Sequence, residues 1–162
     1  MNRFLTRSLP PPSARTILTA GFGGFLAIAG LALASIEADL LVLMAPFGAS
    51  CVLLFAVPAS PLSQPINVVG GHLLASTVGL ILSAALPDTW WALALAVGLA
   101  IGLMVALRVT HPPAGADPLV IFATDPGFGF LLFPVLSGTV VLVAIATLFL
   151  RAAGQNYPKG TN

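Results

Sequence analysis

Thr110-His111-Pro112-Pro113-Ala114-Gly115-Ala116-Asp117-Pro118 brings a histidine, a carboxylate and three prolines into one short stretch between uncharged apolar segments. A histidine takes or gives a proton near neutral pH. A carboxylate ionised at the centre of a membrane helix costs about 2.5–3.5 kcal/mol to insert, so Asp117 must be protonated, solvated or paired. Two roles fit it: a cap that satisfies the free N–H groups of a short helix, or a pathway group that competes with an anion or carries a proton. His111 divides the same way, between bonding a neighbouring helix and handling protons.

An earlier run, Ala45-Pro46-Phe47-Gly48-Ala49-Ser50, shares the Pro-x-Gly-Ala form of Pro113-Ala114-Gly115-Ala116. Proline lacks an N–H and pushes the residue before it out of helical geometry, while glycine lets another backbone or a ligand come close. Each break is expected to end one half-helix and start another near Gly48 and Gly115. The new N-termini would present unpaired N–H groups and a positive dipole end, which suit a small anion. The expected pathway residues are therefore Pro46, Gly48, Ala49, Ser50, His111, Pro112, Pro113, Gly115, Ala116 and Asp117. Gln64, Asn67 and His72, in or just after a short polar link, form a secondary set with Arg108, although polar residues in such links are ordinarily only solvated.

The elements that must position these residues are apolar. Of 162 residues 58% are hydrophobic and 7% charged, mean hydropathy is +1.05, and a soluble domain would carry roughly 25% charge. An all-α integral membrane protein is expected, with the lipid bilayer as its surroundings. A net charge of +1 without a basic patch argues against nucleic acid. The lone Cys51 excludes an internal disulfide, and no Cys/His cluster, close carboxylate pair or phosphate-cradling loop marks an enzyme, a metal site or a cofactor.

Charges and proline breaks leave six apolar pieces: 16–36, 40–57, 68–86, 89–107, 109–124 and 128–150. The first follows Arg3, Arg7, Arg15 and a Pro10-Pro11-Pro12 run. Its apolar length, about 20 residues, fits a spanning helix better than the roughly 7–15 of a signal peptide, despite the small-x-small Ala32-Leu33-Ala34. Trp90 and Trp91 open the fourth piece as an aromatic belt would, and Pro134 predicts a kink in the last. A basic proline-rich segment (1–15), one membrane domain (16–150) and a tail (151–162) result.

Displacement by 67 residues sets Pro46-Phe47-Gly48-Ala49-Ser50 on Pro113-Ala114-Gly115-Ala116-Asp117, Phe55-Ala56 on Phe122-Ala123 and Gly71 on Gly138. This predicts a helical bundle of two repeats, about 16–86 and 89–150, each helix, broken helix, helix. If the broken elements dip and return, the chain crosses four times; if they cross, six. With six, every Arg and Lys lies on one side and Glu37, Asp39, Asp88 and Asp125 on the other, as the positive-inside rule prefers, with both termini cytoplasmic. The halves would then be inverted repeats whose broken helices meet near mid-membrane. Gly98 and Gly102 form a small-xxx-small pair suited to helix contact, including contact in a homo-oligomer.

These runs, with Ser60-Pro61-Leu62-Ser63-Gln64-Pro65 and Asn67-Val68-Val69-Gly70-Gly71-His72, resemble the shared motifs of the HPP family of small membrane proteins, named for the tripeptide standing here as His111-Pro112-Pro113. The resemblance implies a helical protein usually described with four transmembrane segments, some members being linked to nitrite transport. Asp117 departs from the small or neutral residue associated with its position, which points toward proton-coupled movement. The expectation is a transporter or channel for a small inorganic anion, nitrite first, in a bacterial cytoplasmic (inner) membrane. The alternatives are a scaffold or sensor, in which the breaks serve packing and partner contact, and a small membrane enzyme using His111 and Asp117.

Overall fold

The computed structural model describes residues 7, 10–39 and 42–159. Arg3, the start of the second apolar piece at Leu40 and the last three residues of the tail lie outside them. Among the described residues all regular structure is helical. The helices are α1 (Ala14–Ala38), α2 (Pro46–Ala56), α3 (Pro65–Ala85), α4 (Trp90–Ala106), α5 (Asp117–Thr124) and α6 (Ser137–Ala152). Local chemistry fixes their ends. Ser13 caps α1 by accepting from the Thr16 N–H. Pro46 and Pro65 take the first helical positions, where a missing N–H costs nothing. Asp39, Arg108 and Asp125 turn the chain left-handed after α1, α4 and α5, a conformation Asp tolerates better than most residues.

Three helices are long and apolar enough to cross a membrane: α1, α3 and the stretch Phe128–Ala152, which ends in α6. Helix α4, at 17 residues, stands at the lower limit for a span. The expected kink at Pro134 is present, as Phe133 leaves helical geometry inside the turn Leu132–Leu136 that leads into α6. Large apolar side chains such as Leu18, Phe25, Val105 and Leu148 stand exposed on the outside, where lipid rather than water would meet them.

The breaks differ from expectation in one respect. Neither joins two half-helices: no helix precedes α2 over Val42–Met44, and α5 follows an extended His111 and a 3-10 turn, Pro112–Ala116. At the second break the cause is the residue before proline, driven into extended geometry at His111; at the first, Ala45 before Pro46 keeps helical angles and forms a turn. Each break therefore consists of a lead that is not α-helical and one short helix, 11 residues for α2 and 8 for α5.

Cross-contacts assign every element a direction. At one end of the bundle the Arg15 guanidinium donates to the Ala153 carbonyl, the Tyr157 hydroxyl to Ser63, and the Asn67 amide to Thr110. The start of α1, the start of α3, the lead into α5 and the end of α6 thus share that end. At the other, the Val42 N–H donates to the Ser35 hydroxyl, and Ser83, Asp88, Phe122 and Asp125 line one shallow hollow of about 190 Å³. The chain passes between the two ends six times. Arg15, Arg108 and Arg151 gather at the first end, Asp39, Asp88 and Asp125 at the second.

Two glycines lock the halves together. A Cβ at Gly71 of α3 would stand 3.0 Å from the Val109 carbonyl oxygen and 2.7 Å from His111 Cβ; one at Gly138 of α6 would stand 2.5 Å from the Val42 carbonyl oxygen and inside the Phe47 ring. Gly138 lies 67 positions after Gly71, and Val109 lies 67 after Val42, so the same contact is made twice, each time between a helix of one half and the lead segment of the other.

Candidate functional site

Five side chains from α2, α3 and the second break meet at the centre of the bundle, each wholly buried: Ser50 of α2, His72 and Ser76 of α3, His111 at the turn before α5, and Asp117 at the start of α5. Position explains the convergence. His72 and Ser76 are four residues apart on one helix face, and Gly71 beside them admits the chain carrying His111. Ser50 and Asp117 each stand two residues beyond the glycine of a Pro-x-Gly-Ala run. Each short helix aims that residue inward.

His72 is the hub. Its Nδ1 lies 2.8 and 3.1 Å from the two Asp117 oxygens and its Nε2 2.9 Å from Ser50 Oγ. The Ser50 hydroxyl lies 2.9 Å from His111 Nε2 as well, and the Ser76 hydroxyl donates to Asp117 at 2.9 Å. His111 Nδ1 lies 2.8 Å from the Leu62 carbonyl oxygen. The two imidazoles approach edge to face at 5.1 Å, and Phe47 meets His72 perpendicularly at 5.3 Å. Buried groups so paired avoid the penalty of unsatisfied polar atoms, and a network in a low dielectric is strong only when complete.

The remaining expected site residues are placed elsewhere. Gly48 and Ala49 are exposed, and the N–H groups of Phe47 and Gly48 already bond to the carbonyls of Met44 and Ala45. At the second break the Ala114 N–H bonds to the His111 carbonyl. These tips hold no idle donors at those positions, because a tight turn on the N-terminal side consumes them. Pro46, Ala49, Pro112, Pro113 and Ala116 instead line an open apolar groove of about 730 Å³, with Gly115 half-buried nearby in sequence. Asp117 does not cap its helix; its carboxylate turns to α3. Arg108 is exposed. Gln64 braces its own loop by donating to the Pro58 and Ser60 carbonyls and accepting from the Lys159 N–H, and Asn67 ties α3 to Thr110.

Ser76 and the Leu62 carbonyl escaped sequence reasoning. Ser76 could have been found from His72, since a hydroxyl four residues after a buried histidine faces the same neighbour; a backbone carbonyl leaves no signal. Among the described residues no group of three or more His, Cys, Asp or Glu is arranged to hold a metal ion.

The family model described as HPP, transmembrane region, matches residues 9–158. A transmembrane protein of Dictyostelium discoideum is 37% identical over 149 residues, covering 86% of this chain and 52% of its own length. Another transmembrane protein of that organism is 38% identical over 133 residues, covering 76% of this chain and 43% of its own. The chain thus spans about half the length of the curated relatives it matches. No solved structure matches it. A protein whose helices suit a bilayer, and whose sequence follows this model almost from end to end, is an integral membrane protein belonging to the HPP family.

Proposed function

We propose that the chain is a transporter or channel for a small inorganic anion, with the Ser50–His72–Asp117–His111 cluster as its polar core. Nitrite is the first substrate to try, on the resemblance of the motifs alone. One observation carries the reading: polar side chains from both broken elements, the Ser50 hydroxyl and the Asp117 carboxylate, converge on one histidine at the centre of a membrane bundle, and intramembrane ionisable residues such as His72 and Asp117 mark substrate or proton pathways. The two halves are read as inverted repeats, an architecture that places transport sites where broken elements of the two repeats meet. The gathering of basic residues at one end orients that end, and with it both termini, toward the cytoplasm, in a bacterial inner membrane or its equivalent. The apolar groove lined by both breaks is left to lipid or to a second copy of the chain.

Flux into vesicles carrying the purified protein tests the proposal. Nitrite, nitrate or formate should enter faster than into empty vesicles, and Ser50→Ala or His72→Ala should remove most of that gain. No excess flux of any of the three, with or without a proton gradient, overturns it. A second reading, a membrane hydrolase, has in its favour that Ser50, His72 and Asp117 stand in the order of a catalytic triad. We place it second because the Ser50 hydroxyl is wholly buried and shared with a second imidazole. Labelling of Ser50 by a fluorophosphonate would reverse that order.

A further inference from the structure

We propose that the central cluster is a one-proton relay, holding a single proton beyond the complement of two neutral imidazoles and an ionised carboxylate and passing it between Asp117 and His111 through Ser50. The hydrogen-bond geometry forces the count. The Leu62 carbonyl can only accept, so His111 Nδ1 carries a hydrogen. Ser50 has one hydrogen and faces two Nε2 atoms, each at 2.9 Å. Were both rings neutral with hydrogen on Nδ1, and Asp117 ionised, both Nε2 atoms would offer lone pairs. The hydroxyl could then serve only one of them, leaving the other Nε2 against its oxygen lone pairs in a site without water exposure. Its other acceptor, the Pro46 carbonyl, is 3.4 Å away and relieves neither ring.

One more proton satisfies every contact, and it can rest in three places. On Asp117, it is donated to His72 Nδ1; His72 Nε2–H then donates to Ser50, Ser50 to His111 Nε2, and His111 Nδ1–H to Leu62. On His72, the ring is cationic beside an Asp117 carboxylate that also accepts from Ser76. On His111, the Ser50 hydroxyl has turned to donate to His72 Nε2 and accepts from His111 Nε2–H. Passage from the first state to the last moves the Asp117 proton to His72 Nδ1, the His72 Nε2 proton to Ser50, and the proton Ser50 held to His111 Nε2. No bond is left open and no other reactant is consumed, while one positive charge moves from Asp117 to His111.

Among the described residues, nothing else packed around the cluster supplies a competing charge. Helices α4 and α5, the turns Pro61–Ser63, Pro112–Ala116 and Phe128–Leu131, and the segment Leu132–Leu136 carry no titratable side chain apart from Asp117. On α3 there is His72 alone. On α2 there is Cys51, whose Cβ lies beside Gly24 of α1, and on α6 Arg151, bound to the Tyr157 carbonyl. The relay thus adds to the transport reading, and rests on it for its use: a small oxyanion and one proton would move together, so that the cluster need not hold a net anion in the membrane.

Solid-state NMR on the full chain in lipid vesicles counts the protons directly, from the ¹⁵N shifts of both histidines and the ¹³C shift of the Asp117 carboxyl. The wild type should show three hydrogens over the two rings and the carboxyl. Asp117→Asn, whose amide can donate to His72 Nδ1 permanently, should fold and show two, on His72 Nε2 and His111 Nδ1. Two hydrogens in the wild type, or four, overturn the relay whatever the flux assay gives. An entrapped pH indicator tests its use: nitrite entry above that of empty vesicles should carry protons with it, and Asp117→Asn should reduce that proton movement at least tenfold. Nitrite entry without protons overturns the coupling and leaves transport standing. Absent flux overturns transport and coupling together, and the proton count still decides the relay.

Discussion

Replacing Gly71 or Gly138 by alanine adds one methyl group at a place where the structure has no room for it. At Gly138 the new Cβ would lie 2.5 Å from the Val42 carbonyl oxygen and within the Phe47 ring. Phe47 is wholly buried against His72, so neither neighbour can retreat without moving the lead into α2. Overpacking of this kind costs about 1–3 kcal/mol, against which alanine recovers roughly 0.5–1 kcal/mol of helix propensity. The net expectation is a loss of about 1–2 kcal/mol, at the upper end for Gly138. Gly71→Ala presses on His111 Cβ at 2.7 Å and should also displace that ring from Ser50, lowering flux as well as stability. Gly98→Ala is the control, since a Cβ there meets nothing within 4 Å; it should leave stability unchanged or raise it by up to about 1 kcal/mol. Unfolding by SDS from mixed micelles, read by tryptophan fluorescence, measures all three. If Gly71→Ala and Gly138→Ala unfold at the same SDS fraction as Gly98→Ala, the interlock between halves is not as described.

Two further outcomes follow from the element directions and from the loop over His111. In a Cys51→Ser background, Arg108→Cys and Asp125→Cys, which flank the second broken element, should be labelled by an impermeant maleimide from opposite faces of the membrane; labelling from one face would mean that the broken element returns rather than crosses. Tyr157→Phe deletes the hydroxyl donated to the Ser63 carbonyl, a bond worth about 0.5–1.5 kcal/mol. Burial pushes that phenol above its ordinary pKa, so it remains a donor at any physiological pH. The variant should speed amide exchange over residues 58–64, read by mass spectrometry, while exchange in α4 stays as it was. Equal exchange in the loop would show that the tail does not hold it.

The sequence made the helices easy to see, because mean apolarity over some twenty residues decides a span without reference to neighbours. It made the breaks visible for a similar reason, proline acting on its own backbone and on the residue before it. What lay beyond it was where the freed donors would go. The N–H groups of Phe47 and Gly48 are consumed by a local turn at Met44 and Ala45, an arrangement that the pattern Pro-x-Gly-Ala leaves undetermined. His72 stood in the secondary set for a related reason. A histidine early in a helix after a polar link reads as a solvated mouth residue, and only the approach of two other elements, α2 and the segment carrying His111 that Gly71 admits, encloses it.

The 67-residue displacement carried more than it first offered, because it pairs Ser50 with Asp117. Each is the residue that follows the Gly-Ala of its break, and each holds one nitrogen of the same imidazole. A site built by two like elements would be symmetric if the hub were duplicated too, but 67 positions after His72 stands Thr139, whose hydroxyl is spent on the segment leading into its own helix, at the Val135 and Leu136 carbonyls. The cluster is thus like-positioned in its arms and single in its centre. A hydroxyl and a carboxylate at matching positions give the two sides of His72 unlike partners, one that can both donate and accept and one that can hold a proton outright. That inequality is what gives a proton wire a direction. Ser50→Asp would make the arms equal. It should fold only if the added carboxyl is protonated or pairs with His111, and it should abolish proton movement while leaving the six passes of the chain in place.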